Sequence, residues 1–303
     1  MVNRLLVWAG ENSRLEGIAN TNSLVGKVVH RYVAGPALED GIAAAVQLNS
    51  RGIRGILDLL GEAVTDLSGA SQATQQYLQA VETIADRGID TTVSLKLTQL
   101  GLLIDREACV ANLATVLDRG RNVGVGVEID MEQSDVVGET IEVYRDSAPT
   151  HPNTRLAIQA CLRRTFEDLE SLVDLQPRIR LVKGAYAEPI DRALRAKKEI
   201  TAEYQHLSEW LLTHGKLPAF GTHDDACIDF AIKAANRLGL GQRDFEIQLL
   251  YGIRRDLQHD LADRGYRVGV YIPFGSAWYP YLMRRMAERP ANLLFFLRAA
   301  VGR

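Results

Sequence analysis

Two adjacent arginines near the carboxyl end of the chain form the most suggestive pair of side chains for chemistry. Arg284 and Arg285 follow an apolar run at residues 268–275, which is typical of a short buried strand ending in a proline and glycine turn. We therefore expect the pair at the carboxyl end of a strand, where an α/β barrel holds its ligands. Two rigid guanidinium groups suit a carboxylate ligand. On spacing alone, a solvated arginine pair on an outer helix face is an equal alternative.

Polar side chains occur on or at the ends of seven predicted strands, from the second to the eighth. They are Lys96, Asp130, Gln159, Arg180, Lys183, Thr222, His223, Gln248 and Tyr271. Because a buried charge without a partner costs roughly several kcal/mol, we expect these groups to pair with one another and with ligands. Arg180 and Lys183 are three residues apart and are expected on opposite sides of their strand. Gly184 either lets the backbone approach a flat or anionic ligand or is a plain turn glycine.

The elements that must position these residues are eight apolar runs that alternate with helical patterns. The runs cover residues 52–60, 91–97, 124–130, 155–159, 178–183, 218–222, 245–250 and 268–272. Apolar residues recur at helical spacing in 74–87, 106–119, 165–175 and 204–213. This alternation predicts an α/β fold, a (β/α)8 TIM-type barrel. A doubly wound sheet is the competitor, but no glycine-rich nucleotide-binding turn follows the first run.

The predicted domain organisation has two parts. Residues 1–50 form an N-terminal helical segment that packs on the barrel, with a helix at 36–48 expected to cap its bottom. Residues 51–303 form the catalytic barrel.

Composition excludes several classes of function. The net charge of −3 gives no support for electrostatic binding of nucleic acid. Three scattered cysteines indicate a reducing compartment, and no ligands stand at metal-binding spacing. The sequence contains neither an apolar stretch of membrane-spanning length nor the long apolar core of a signal peptide. We therefore expect a cytoplasmic protein without a metal site.

Four motifs together resemble the proline dehydrogenase family. They are RLVKGAY at 180–186, GTHD at 221–224, FEIQLLYG at 245–252 and YLMRR at 281–285. The resemblance covers roughly residues 50 to 300 and implies a distorted FAD-binding barrel, found alone or as the first catalytic part of the bifunctional PutA proteins. Because the chain ends at Arg303, we expect the monofunctional form, with transient contact to a separate pyrroline-5-carboxylate dehydrogenase.

The resemblance also implies roles for individual residues. Lys96, Asp130, Arg180 and Tyr271 match the catalytic group. Residues that match the proline site are Lys96, Tyr186, Leu250, Tyr271, Tyr281, Arg284, Arg285 and Glu288, with the arginines clamping the carboxylate and Glu288 pairing with Arg284. Residues that match FAD contacts are Gln159, Arg180, Val182, Lys183, Gly184, Ala185, Thr222, His223 and Gln248.

The implied reaction is oxidation of L-proline to Δ1-pyrroline-5-carboxylate by hydride transfer to FAD, the first step of proline catabolism to glutamate. The implied electron acceptor is a membrane quinone, which requires peripheral contact with the inner membrane face. The base that removes the amine proton is left open, with water as one candidate.

Two positions bear on specificity and on the cofactor. Tyr271 lies where a hydroxyl group on the substrate ring would go in this family, so we expect proline to be preferred over hydroxyproline. Asp224 replaces an asparagine that is frequent in the family. It would add negative charge near the expected adenine end of FAD.

Two other functions remain open from the residues alone. A Schiff-base aldolase would use Lys96 or Lys183 as a neutral amine whose pKa is lowered by neighbouring arginines. A proline-binding module without catalytic activity would need the same arginine clamp.

Overall fold

The computed structural model describes residues 29, 31–61, 63–279 and 281–283. Within these residues eight parallel strands form a closed barrel in chain order, and the last strand pairs with the first. The strands are β1 (Arg54–Leu59), β2 (Thr91–Leu95), β3 (Val127–Ile129), β4 (Arg155–Gln159), β5 (Ile179–Val182), β6 (Ala219–Gly221), β7 (Glu246–Leu250) and β8 (Arg267–Phe274). The predicted α/β barrel is confirmed.

Helices surround the barrel and connect its strands. The α-helices are α1 (Leu38–Asn49), α2 (Leu67–Arg87), α3 (Arg106–Val123), α4 (Val137–Ser147), α5 (Thr165–Ser171), α6 (Lys197–His214), α7 (Asp225–Arg237) and α8 (Arg255–Asp263). Short 3-10 helices occupy Leu97–Leu100 and Val173–Leu175.

Capping residues explain where the elements differ from the predicted ranges. Helix α2 begins earlier than predicted because the Asp66 side chain accepts a hydrogen bond from the Gly69 amide at 2.9 Å. Strand β3 begins later than predicted because Gly124 takes a left-handed conformation that ends α3. The amide of Val125 then bonds to the Gly120 carbonyl at 2.8 Å, which commits these residues to the helix end.

Helix α1 lies along the outer side of the barrel and not across its bottom. It contacts β1 and β8. A Cβ atom on Gly41 would lie 3.0 Å from Leu57 and 3.3 Å from Phe274, so the helix approaches these strands closely. The bottom-capping position expected from the sequence is therefore wrong, because the small residues Gly41 and Ala45 favour packing onto a strand surface.

The apolar core lies between the strands and the helices, whereas the barrel interior is charged. Leu57, Val93 and Ile129 are fully or almost fully buried in that outer layer. Inside the barrel, Glu128 accepts from Arg155 at 3.0 Å, and Glu246 accepts from Arg54 at 3.0 Å. Barrels usually fill this space with branched apolar side chains. Here, ion pairs take the place of that apolar packing. They anchor the charged groups that lie at the carboxyl ends of the strands.

In the described part of the chain, no helix combines the length and the apolar character needed to cross a membrane.

Candidate active site

The carboxyl ends of the strands surround a cavity of about 740 Å³. Every candidate site residue that the structure describes contributes to its lining. These residues are Lys96, Asp130, Gln159, Arg180, Val182, Lys183, Gly184, Ala185, Tyr186, Thr222, His223, Gln248, Leu250, Tyr271 and Tyr281. Arg284, Arg285 and Glu288 lie outside the described residues.

A cluster of alternating charges forms the floor of this cavity. The Lys96 ammonium lies 2.6 Å from Asp58 Oδ1 and 3.5 Å from Asp130 Oδ2. The Tyr271 hydroxyl donates to Asp130 Oδ2 at 2.5 Å, and the Ser94 hydroxyl donates to Asp130 Oδ1 at 2.8 Å. Four strands therefore supply one connected network in which Asp130 is the shared acceptor.

Charge pairing fixes the protonation state of this cluster. Burial opposes the charge on Lys96, but Asp58 and other neighbours outweigh burial and hold its pKa well above the usual value. Burial likewise opposes the negative charge of Asp130, whereas Arg180 and Lys96 bring its pKa below the usual value. Lys96 is therefore an ammonium and Asp130 a carboxylate at neutral pH. A Schiff-base aldolase needs a neutral lysine, so this environment disfavours Schiff-base formation at Lys96.

Arg180 joins the charged floor to the interior of the barrel. Its Nη1 donates to Glu128 Oε2 at 3.1 Å, and its Nη2 donates to Asp130 and, at 3.3 Å, to the Ser94 hydroxyl. Its guanidinium carbon lies 5.3 Å from the centre of the Tyr271 ring. Burial disfavours the charge, but Asp130 and Glu128 raise the pKa above its usual value. Arg180 is thus a fixed cation at the cavity wall.

A glycine, Gly184, also lies on the lining of this cavity. Gly184 has φ +103°, and a Cβ atom there would meet the Cys161 sulfur at 2.2 Å and Gln159 Oε1 at 3.2 Å. A side chain at this position would therefore clash, and the backbone is left open to the cavity. The Gln159 amide nitrogen donates to the Glu132 carbonyl at 2.8 Å, which turns its oxygen towards Gly184. These close approaches by the protein itself require glycine here, and a role of Gly184 in ligand binding stays a prediction.

Lys183 and Asp224 both line the cavity and form a second charged pair. Lys183 Nζ donates to Asp224 Oδ2 at 2.7 Å and to the Thr201 hydroxyl at 2.9 Å. Thr201 lies on α6, so Lys183 faces the helical layer while Arg180 faces the interior, as predicted from their spacing. The hydrogen bond from Lys183 lowers the pKa of Asp224. The negative charge expected from Asp224 is therefore balanced within the protein.

Backbone contacts position Thr222 and His223 at the end of β6. His223 Nε2 accepts a hydrogen bond from the Leu250 amide at 3.0 Å, and the His223 carbonyl accepts from Arg254 at 3.1 Å. The Thr222 hydroxyl accepts from the Asp224 amide at 3.2 Å. These bonds tie β6 to β7 and to the start of α7.

Gln248 presents an acceptor that no described residue uses. Its amide nitrogen donates downwards to Glu246 at 2.7 Å and to Glu128 at 3.3 Å. Its oxygen is buried and has no hydrogen-bond partner among the described residues. Buried amide oxygens are normally satisfied. An acceptor at the wall of a cavity therefore matches an N–H group of a ligand.

Apolar groups complete the lining. Tyr281 is buried against Val29, Val33 and Leu60, in a small cluster separate from the main core. Tyr186 is exposed, and Leu250 and Val182 are half-buried. This cluster fixes the chain immediately before the two arginines.

Asp58 and Glu128 hold the two key cations and were missed at the sequence level. Both are 1% exposed and lie within apolar runs, GILDLL and GVEID. An acid in the middle of an apolar strand was the available signal, because a barrel interior tolerates such a group only when it is paired.

Together, the strands and the cavity define an α/β barrel whose carboxyl end carries a cavity with a charged floor. The family described as proline dehydrogenase matches residues 42–298 of the chain. The chain belongs to the proline dehydrogenase family and is an oxidoreductase.

Two relatives that match over nearly their whole length support this assignment. Proline dehydrogenase 1 of Bacillus subtilis subsp. natto is 35% identical over 299 residues, covering 98% of this chain and 98% of that protein. Proline dehydrogenase of Deinococcus radiodurans is 34% identical over 302 residues, covering 97% of this chain and 96% of that protein.

The barrel also resembles one part of much longer proteins. The bifunctional protein PutA of Escherichia coli (strain K12) is 26% identical over 344 residues, covering 99% of this chain but 26% of that protein. The crystal structure of PutA from Bdellovibrio bacteriovorus inactivated by N-propargylglycine matches with a TM-score of 0.82 at 25% identity. The match covers 88% of this chain and 33% of that one.

Proposed function

We propose that the chain oxidises L-proline to Δ1-pyrroline-5-carboxylate with FAD as the electron acceptor in the site. The observation that carries the proposal is that a fixed cation, Arg180, binds the paired charges of the floor and lines the same cavity as the exposed backbone of Gly184. FAD, when bound, supplies the acceptor for the hydride that leaves the ring carbon next to the amine.

The residues present fit a flavin. The open backbone at Gly184 suits a flat ring, and the free oxygen of Gln248 suits a ring N–H group. We assign Gln159, Arg180, Val182, Lys183, Gly184, Ala185, Thr222, His223 and Gln248 to the cofactor. The charge of Arg180 would stabilise an electron-rich ring beside it.

Recognition of proline is assigned to the cationic and apolar groups on the opposite side. We propose that Lys96, Arg284 and Arg285 bind the substrate carboxylate and that Glu288 pairs with Arg284. Tyr186, Leu250, Tyr271 and Tyr281 would enclose the ring. A carboxylate fixed by several cations leaves the ring in one orientation, and orientation alone can supply much of the rate.

The protonation states of Lys96 and Asp130 make neither group suited to remove a proton from the substrate amine. Lys96 keeps its proton, and the pKa of Asp130 is low, so both are poor bases for the substrate amine. Oxidation of the C–N bond releases one hydride from carbon and one proton from nitrogen. We therefore propose that the amine proton passes to solvent water before the hydride leaves.

The electron acceptor and partners are proposed from family resemblance. Electrons would pass to a membrane quinone during transient contact with the inner membrane face. The product would pass to a pyrroline-5-carboxylate dehydrogenase. We place the protein in the cytoplasm on the same basis.

The cofactor part of the proposal has a direct test. The purified protein should be yellow, and the chromophore released by denaturation should have the mass of FAD. A colourless preparation that cannot be reconstituted with FAD would contradict it. Trapping of a substrate adduct by borohydride would favour the aldolase instead.

A further inference from the structure

Glu128 lies one layer below the cavity lining and contacts the cation that faces the proposed flavin. It is 1% exposed, and its two oxygens have different partners. Oε2 accepts from Arg180 at 3.1 Å, and Oε1 accepts from Arg155 at 3.0 Å. The carboxylate thus bridges two guanidinium groups from β4 and β5.

Arg180 is held by a second carboxylate, Asp130, but that group is shared with the substrate side. Asp130 also accepts from Tyr271, from Ser94 and from the Lys96 ammonium. Substrate binding at Lys96 or Tyr271 would redistribute these bonds. Glu128 accepts from Arg155, Arg180 and, at 3.3 Å, the Gln248 amide, but from none of the residues assigned to proline alone, so its hold on Arg180 does not depend on the substrate.

The two anchors fix the plane of the guanidinium group. Glu128 binds Nη1 and Asp130 binds Nη2, so both ends of the fork are restrained. The electrostatic effect of a cation on a neighbouring ring falls with distance. A tilt of Arg180 towards either anchor would therefore change its effect on the ring.

We propose that Glu128 is a positioning residue that holds Arg180 against the flavin and thereby sets the reduction potential of the bound cofactor. The inference rests on the proposed function, because it requires FAD in the cavity. It assigns Glu128 no contact with proline.

The test is a pair of substitutions that preserve charge. Glu128→Asp shortens the side chain by one methylene group, so it cannot reach both Arg155 and Arg180. Glu246→Asp makes the same change in the same network. Glu246 contacts Arg54 at 3.0 Å, Arg155 at 3.4 Å, Arg267 at 3.1 Å and the Gln248 amide at 2.7 Å. It has no contact with Arg180 in the described residues, so both variants disturb Gln248 and only Glu128→Asp disturbs Arg180.

The potential is measured on the FAD-loaded protein by reductive titration against a reference dye, without proline. We expect Glu128→Asp to make flavin reduction at least tenfold less favourable, which is about 30 mV for a two-electron couple. The KM for proline should change less than twofold while kcat falls. Glu246→Asp, which disturbs Gln248 but not Arg180, should shift the potential clearly less than Glu128→Asp does. An unchanged potential in Glu128→Asp, or an equal shift in Glu246→Asp, would overturn the inference.

A charge-balanced variant covers the case in which Glu128→Asp does not fold. Glu128→Gln with Arg155→Gln removes both members of one buried pair, which is better tolerated than removal of one. Like Glu128→Asp, this double variant should lower the reduction potential of the flavin relative to wild type. An unchanged potential would again overturn the inference. Failure of proline to bleach the wild type would contradict the proposed function separately, because the potential is measured without proline.

Discussion

The Lys96 ammonium is held 2.6 Å from the carboxylate of Asp58, across the β1–β2 pair. Lys96 was predicted as an active-site residue, whereas Asp58 was not. The pairing both keeps the lysine charged and fixes its direction. Under the proposed function, Asp58 would therefore determine how Lys96 is presented to the substrate carboxylate.

Replacement of Asp58 by Asn should weaken proline binding. A hydrogen bond to a charged group contributes about 1.5–3 kcal/mol, so we expect KM to rise roughly 10- to 100-fold. Steady-state kinetics with FAD saturation measures this. The control is Asp118→Asn, which removes a half-exposed carboxylate paired with Arg121 at the surface. A KM for Asp58→Asn equal to that of the control would contradict the role of Asp58.

The strand order and most strand positions followed from the alternation of apolar runs, because eight βα units have few other closed solutions. The first and last residues of the strands were less predictable. Strand β8 continues through Pro273 to Phe274, because these residues pair with Asp58 and Leu59 of β1. The Pro273 carbonyl also accepts a hydrogen bond from the Ala34 amide. That contact joins distant parts of the chain and leaves no local signal.

The cavity lining was predictable where family motifs cover it, as at Gly184 and Thr222. The groups that hold the cations were not. Glu246 and Glu128 lie on different strands, and only the closed barrel brings Arg54 and Arg155 against them. A sequence can place acids and bases on strands, but the register around the barrel decides which of them meet.

Replacement of Tyr271 by Ser should relax the preference for proline over hydroxyproline. Tyr271 is restrained by its bond to Asp130 and by the Arg180 cation, so its ring cannot move aside for a substrate hydroxyl. We expect the ratio of kcat/KM for proline to kcat/KM for hydroxyproline to fall about tenfold, since a lost steric contact is worth roughly 1–3 kcal/mol.

The matched control is Tyr271→Phe, which keeps the ring and removes the hydroxyl. It should retain the preference while lowering turnover. Equal use of proline and hydroxyproline by the wild type would contradict this reading of Tyr271.

Replacement of Asp224 by Asn should not release the cofactor. The Asp224 side chain caps α7 and binds Lys183, and asparagine retains the cap. Lys183 would then be free to interact with an anionic ligand, so we expect the Kd for FAD to fall a few-fold at low salt.

Reconstitution of the apoprotein with FAD, followed by fluorescence quenching, measures this affinity. Asp225→Asn is the neighbouring control, since Asp225 binds Arg254 at 2.5 Å outside the Lys183 pair. A marked loss of FAD binding in Asp224→Asn alone would show that the carboxylate itself is needed.

The active-site floor should make the fold sensitive to alkaline pH. Burial raises the pKa of Tyr271 well above its usual value, and Asp130 and Asp58 add to this effect against Lys96 and Arg180. The pKa of Lys96 is also raised. For both groups the stabilisation is complete below the unfolded pKa, about 10 for Tyr and 10.4 for Lys. It is lost as pH rises towards the folded values.

Urea unfolding between about pH 9 and pH 11 measures this loss. We expect the free energy of unfolding of the wild type to fall as pH rises. In Tyr271→Phe the slope of this free energy against pH should be shallower, by up to about 1.4 kcal/mol per pH unit. Identical slopes in the two proteins would contradict the raised pKa of Tyr271.

The central claim is that cationic groups hold proline by its carboxylate while a bound flavin takes its hydride. Anaerobic titration of the holoprotein with L-proline, followed by visible absorption, tests it for wild type and Arg284→Met. The account predicts that proline bleaches the wild type and that Arg284→Met stays yellow until proline is roughly 10- to 100-fold higher. A wild-type flavin that dithionite reduces but saturating proline does not would contradict the account.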